Sequence, residues 1–158
     1  MQAWWKWIIG AVILVLGIGQ LIRSAHTNPP VALADTMQTR LHVNPAVEAT
    51  FVRSCNDCHS NLTVWPWYSH VAPASWLVVY DVRHGREDLN FSEWGIYPLE
   101  KQRELLKEIC TEVSGKEMPG TAYTLLHPAA KLTATDITSI CTWTRTLEQS
   151  QAQFPGKE

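Results

Sequence analysis

Cys55-Asn56-Asp57-Cys58-His59 holds the densest chemistry in the chain. Two thiols spaced C-x-x-C, with a histidine directly after them, match the attachment signature of a c-type haem. In that chemistry each thiol adds across a haem vinyl group to form a thioether. The adjacent imidazole becomes the proximal ligand of the iron. C-x-x-C alone also serves thioredoxin-like dithiols and half-sites for zinc. A thioredoxin-like pair expects a preceding strand in a βαβ context, and no strand pattern is readable here. A zinc site needs a second ligand pair, and Cys110 and Cys141, 31 positions apart, make a poor knuckle. The motif therefore predicts one covalently attached haem c held by Cys55, Cys58 and His59.

Such an iron takes a second axial ligand or stays open to small molecules. The candidates are Met118, His127, His70 and His84, with Met37 and His42 further upstream. Met118 is the expected ligand, because Pro119 follows it on a loop just after a helix closes at Gly115. A soft thioether there favours ferrous iron and raises the reduction potential. Met118 stands 59 positions after His59, which leaves room for two helices between the ligands. His127, restricted by Pro128 after it, is the alternative. Arg53, just ahead of the motif, is either a propionate partner or a solvated helix position.

The elements that must position these groups read as helices. Asn44-Pro45 has the form of an N-cap with proline at the first helical position, leading through Val47 and Phe51 into the haem motif. A second helix starts near Ala72-Pro73 and carries Trp76, Val79, Tyr80 and Arg83, with Gly85 as its expected stop. A third begins near Pro98, presents Leu105, Leu106, Ile109, Cys110 and Val113, and ends at Gly115. A fourth opens with Thr133 and Asp136 at capping-box spacing, and Ile137, Ile140, Cys141, Thr144 and Leu147 form its inward face. Cys110 and Cys141 thus sit on inward stripes of two helices. In an oxidising compartment leftover cysteines pair, so a disulfide is expected between them.

Compartment enters through the N-terminus. Ile8 to Ile22 carries no charge, and with Ala3-Trp4-Trp5 ahead of it the apolar run reaches about 20 residues, enough to cross a hydrocarbon core as a helix. Trp4, Trp5 and Trp7 cluster at one end as interfacial aromatics do. Ala32-Leu33-Ala34 has the form of a cleavage site, but it lies well beyond the apolar run, so a retained anchor is expected. The expected organisation is a transmembrane anchor over 1–23, an extended tether over 24–43, a c-type haem domain over 44–150 and a C-terminal tail over 151–158. The fold class is all-α: an N-terminal transmembrane helix, then a compact cytochrome c-like helical domain. Without Lys6 and Arg23 of the anchor, the rest of the chain has 11 basic and 15 acidic side chains, which gives no basic face for nucleic acid.

The chain also resembles the bacterial haem-binding domain family of small anchored proteins with one C-x-x-C-H. The resemblance rests on Cys55-Asn56-Asp57-Cys58-His59-Ser60-Asn61, on Thr63-Val64-Trp65-Pro66-Trp67-Tyr68-Ser69-His70-Val71-Ala72-Pro73, and on Ser75-Trp76. It continues through Leu89-Asn90-Phe91-Ser92-Glu93-Trp94, Glu117-Met118-Pro119, Tyr123 and His127-Pro128, with Asn28-Pro29-Pro30 upstream. It implies a helical c-type cytochrome fold exposed to the periplasm and implies no particular reaction.

Together these readings predict a membrane-anchored monohaem c-type cytochrome that carries single electrons on the periplasmic side. It would sit in the bacterial inner membrane as a single-pass protein, alone or as a subunit of a larger redox complex. Its partners would be redox proteins or a membrane redox complex, and the lipid bilayer through the N-terminal helix. The alternative is a haem peroxidase or a gas or redox sensor with an open distal site. Arg83-His84-Gly85-Arg86 is the nearest candidate for a catalytic pair, and it reads as a helix terminus. Trp65-Pro66-Trp67-Tyr68 reads as packing on the haem edge, or else as a docking surface.

Overall fold

A computed structural model describes residues 4–153, and these residues are helical with no strand. The first helix, α1 (Trp4–Gly19), is followed by an irregular stretch and a short helix α2 (Met37–Leu41). The motif region follows as α3 (Pro45–Ser54) and the single turn α4 (Asn56–His59). Then come α5 (Ala74–Asp88), α6 (Leu99–Gly115), the short α7 (Thr121–Leu126) and α8 (Ala134–Gln153).

Local chemistry sets most of these boundaries. The Asn44 side chain accepts from the Val47 N–H at 3.0 Å and Pro45 takes the first helical position, so α3 starts where the sequence requires. At the start of α8, Thr133 and Asp136 exchange backbone and side-chain bonds in a capping box. α6 ends at Gly115, with Lys116 in the left-handed region at φ 62° returning its N–H to the last turn. The core is built from stripes of several elements: Met37 from α2, Val47 and Phe51 from α3, Leu105 and Leu106 from α6, Ile140 from α8, and Trp94 from the 3-10 segment Phe91–Ile96. α6 packs along α8, and Cys110 and Cys141 join the two as a disulfide.

Two sequence expectations are corrected here. The expected N-terminal transmembrane helix is not borne out: among the described residues no helix is long and apolar enough to cross a membrane. α1 has 16 residues, which at ~1.5 Å per residue reach roughly 24 Å, short of a ~30 Å hydrocarbon core. The helix stops because the residues after it belong to the domain. Gly19 is buried against the Trp76 ring. The Gln20 amide bonds both the C=O and the N–H of Ala72 at 3.0 Å each, and the Ile22 carbonyl accepts from Trp76 Nε1 at 3.0 Å.

The second correction concerns Gly85, which lies inside α5 rather than at its end. A Cβ at Gly85 would stand 2.7 Å from the Cys58 carbonyl oxygen, so glycine is what lets α5 lie directly on the C-x-x-C-H turn. At the other end of the chain, α8 continues through residue 153. Residues 1–3 of the expected anchor and 154–158 of the expected tail lie outside the described residues.

Candidate haem site

The site begins where α3 runs out. Cys55 ends α3, its N–H reaching the Phe51 carbonyl, and α4 carries Asn56 to His59 as one further turn. Cys55 and Cys58 are free thiols, not joined to each other. Burial, with help from Cys58, pushes the Cys55 thiol up to about 12. Burial, then Asp57 and Asp81, push Cys58 up to about 11. Both are therefore protonated near neutrality, whereas a thioredoxin-like dithiol needs a lowered thiol pKa. A zinc reading fares no better. Cys110 and Cys141 are consumed in the disulfide, and among the described residues no group of three or more His, Cys, Asp or Glu is placed to hold a metal ion.

His59 is oriented by backbone. Its Nδ1 lies 2.9 Å from the Gly85 carbonyl and 3.1 Å from the Leu89 carbonyl. Two acceptors require Nδ1 to carry the proton, which leaves Nε2 as the free lone pair. Burial lowers the pKa of His59, against the opposing effect of those two carbonyls, so the ring is neutral at pH 7. This is the tautomer, held by carbonyl acceptors at the other ring nitrogen, that a metal-binding histidine takes.

A polar knot holds those carbonyls still. Asn90 Nδ2 donates to Asn61 Oδ1 at 2.9 Å, the Asn61 N–H donates to Ser92 Oγ, and the Ser92 N–H returns to Asn90 Oδ1. Arg86, one helical position after Gly85, ties the outer side. Its guanidinium donates to the Ser60 and Thr27 carbonyls, to Asn28 Oδ1 and to Thr63 Oγ1, all within 2.9 Å. Burial lowers the Arg86 pKa, and nearby acidic groups oppose it.

Beside His59 opens a cavity of about 540 Å³. Cys55, Phe51, Phe91, Leu105, Ile109 and Met118 are among the residues around it. The His59 and Phe91 ring centroids are 6.0 Å apart and Phe51 packs tilted against Phe91 at 5.1 Å, so the wall next to the imidazole is aromatic. Lys101, Glu87, Glu108 and Glu112 supply charge at this cavity. The structure thus brings His59, Cys55 and Met118 to one space. Cys58 and His127 instead line a second, smaller cavity of about 80 Å³, with Asp57, Tyr68 and Tyr123. There His127 stacks on Tyr123 with ring centroids 4.3 Å apart.

The other candidates are placed elsewhere. Met37 is buried in the core and His42 caps α2 in a left-handed conformation. His84 stacks on Tyr80, and Arg83 pairs with Glu87 on the exposed side of α5. His70 packs against His26. Arg53 pairs with Asp136 at 3.0 Å, which gives it a structural partner across α3 and α8. Of the aromatic block, Trp67 is 78 % exposed. Pro66 and Tyr68 of the same block line the smaller cavity beside Cys58.

Four residues that build this site had no such role in the sequence expectations: Gly85, Arg86, Asp57 and Tyr123. A signal existed for two of them. A glycine inside a helix costs about 1 kcal/mol against alanine and so marks a close approach, and Asp57 stands inside the C-x-x-C itself.

An aromatic and aliphatic cavity of this volume, with a neutral imidazole on its wall and the free thiol of Cys55 at its edge, suits a flat porphyrin. The class of protein is a helical haem-binding domain. Comparison with known families agrees: the model described as "Haem-binding domain" matches residues 14–146. The chain belongs to that family. No curated protein and no solved structure matches it.

Proposed function

We propose that this haem-binding chain is a monohaem c-type electron carrier. The observation that carries the reading is the clamped, neutral His59 on the wall of a cavity that Met118 also lines. A bound haem would supply a one-electron ferric–ferrous couple. Cys55 and Cys58 would hold it through thioethers, His59 would ligate the iron through Nε2, and Met118 would be the second axial ligand. The residues themselves do the tuning. The Gly85 and Leu89 carbonyls fix the tautomer of His59 and raise its basicity. Phe51, Phe91, Leu105 and Ile109 exclude water, which disfavours the more highly charged ferric site.

Transfer of single electrons needs a fixed site and a face open to a partner. Arg86 and the asparagine knot provide the first, and exposed Met118 and Trp67 mark surfaces that a redox protein can approach. The Cys110–Cys141 disulfide supports an oxidising compartment, consistent with the periplasmic side.

The test is retention of haem by the full chain in SDS and in acid–acetone, with optical spectra of both redox states. The expected result is covalent haem, a six-coordinate spectrum and indifference to CO. Haem that extracts from the wild-type chain would remove the c-type assignment. Rapid CO binding would favour a ligand-binding or peroxidase reading.

A further inference from the structure

At the N-terminal end of α5, where α1 ends, lies a third cavity of about 420 Å³ that the haem chemistry does not use. Its walls are cross-linked. Gln20 bonds Ala72 twice, Trp76 Nε1 donates to the Ile22 carbonyl, and His26 Nε2 donates to the Ser69 carbonyl at 2.7 Å. The lining contains Arg23, His26 and His70 and no carboxylate. In a chain of net charge −2 this is a local reversal of sign. The His26 and His70 rings lie 4.3 Å apart, and the bond to Ser69 leaves His26 Nδ1 unused.

Two independent features point into this space. The α5 helix starts here and carries the positive end of its dipole, with no side chain capping it. Its Ser75 and Trp76 N–H groups are taken by the Val71 and Pro73 carbonyls, so the helix contributes field rather than donors. The second feature is Ser75 itself. The residue is 5 % exposed and lines the cavity, yet its hydroxyl makes no hydrogen bond to any described residue. The hydroxyl oxygen keeps contact with the open cavity and is free to bond a ligand there.

We propose that this cavity binds a phosphate-bearing anion, with Arg23 and the Ser75 hydroxyl donating to its oxygens and His26 and His70 flanking it. Guanidinium and hydroxyl donors at a helix N-terminus suit tetrahedral phosphate oxygens. The cavity holds far more than a bare phosphate fills, so the ligand is a phosphate ester with an organic substituent. A soluble phosphate ester and a phospholipid headgroup share that chemistry.

Calorimetric titration of the full haem-loaded chain separates the sources through three probes: inorganic phosphate, glycerol phosphate, and dihexanoyl phosphatidylglycerol below its micelle concentration. Saturable binding of an ester is expected, with inorganic phosphate weaker. Tighter binding of the lipid than of glycerol phosphate assigns the headgroup, and the reverse assigns a soluble ester. Arg23→Gln and Ser75→Ala should each weaken binding by about tenfold, the loss of one charge-assisted or buried hydrogen bond, while the haem spectrum stays unchanged. If either variant does not fold, imidazole resonances of His26 and His70 in the wild-type chain should still shift on titration. No saturation with any probe, affinities equal in both folded variants, or unmoved imidazole resonances would each overturn the site.

Discussion

The Tyr123 hydroxyl donates to the Asp57 carboxylate at 2.8 Å, and so joins the inside of the C-x-x-C-H motif to the helix that follows Met118. The other Asp57 oxygen accepts from the Val64 N–H, and the Asp57 carbonyl accepts from the Thr63 hydroxyl at 2.7 Å. One residue of the motif therefore fixes both the loop after it and α7, which starts three residues after Met118. Burial, then the bond to Asp57, push the Tyr123 pKa up, so the hydroxyl stays protonated and donating.

Replacing Tyr123 with Phe should remove that tie while keeping the ring. Loss of a hydrogen bond to a charged acceptor predicts a destabilisation of roughly 1–3 kcal/mol. Denaturant unfolding of the haem-loaded protein measures it. The segment carrying Met118 should also loosen, so the variant should bind CO where the wild type does not. A stability equal to wild type would show that the tie contributes nothing.

At Gly85 the expected change is steric. The Cβ of Gly85→Ala meets the Cys58 carbonyl at 2.7 Å and the Cys58 side chain at 3.1 Å, and neither is the far end of a flexible chain. Pushing α5 off the motif also moves the Gly85 carbonyl away from His59. Overpacking of this kind costs roughly 1–3 kcal/mol. Haem content per chain after expression should fall with it. Full haem loading with an unchanged melting temperature would mean that the backbone yields easily here.

What the sequence made legible was local. The Asn44 and Thr133–Asp136 caps, the α6 stripe and the pairing of Cys110 with Cys141 each depend on residues a few positions apart or on compartment chemistry, and the structure carries all of them. What escaped depended on distant contacts. Gly85 has the appearance of a helix stop until Cys58 is seen beneath it. Gln20 looks like one tolerated amide in an apolar run until Ala72 is found bonding it, and that bond is why the run breaks after Gly19. Arg86 reaches residues 23 to 59 positions away in sequence, a separation that no periodicity reveals.

The disulfide between α6 and α8 closes a separation of 31 residues. Constraint of the unfolded chain by such a loop contributes roughly 2–4 kcal/mol. Cys110→Ser with Cys141→Ser should lower stability by that amount in denaturant titration, and the oxidised wild-type chain should show no labelling at either position. Retained stability after removal would assign the helix pairing to Ile109, Val113 and Ile140 alone.

Asp136 should make stability depend on acid. Its burial alone would raise its pKa, but the Thr133 N–H and hydroxyl, the Thr50 hydroxyl and Arg53 together hold it below the ordinary carboxylate value. A carboxylate depressed in the folded state stabilises above its unfolded pKa of about 3.9, and that contribution is lost as pH falls through the folded value. Asp136→Ala should therefore cost roughly 1–2 kcal/mol at pH 7, the size of a lost helix cap. The gap to wild type should close in acid. A gap that persists at pH 2 would make the effect one of packing rather than charge.

The two candidates for a second axial ligand, Met118 and His127, lie in different cavities. Met118 shares a cavity with His59 and is 45 % exposed, so its thioether is reachable from the same side as the imidazole. His127 is occupied by stacking on Tyr123 and by a contact to the Tyr68 hydroxyl at 3.4 Å. Met118→Ala should open the ferrous iron to CO and lower the reduction potential, because ferric iron is then freed of a soft ligand that disfavoured it. Met118→His should restore six coordination at a potential still below wild type. His127→Ala should leave the ligand spectrum intact. Spectra and potentials of the three variants test the assignment together. A CO-binding His127→Ala beside a closed Met118→Ala would make the protein a bis-histidine cytochrome, and would require α7 to swing across from Tyr123 toward His59 when haem is bound.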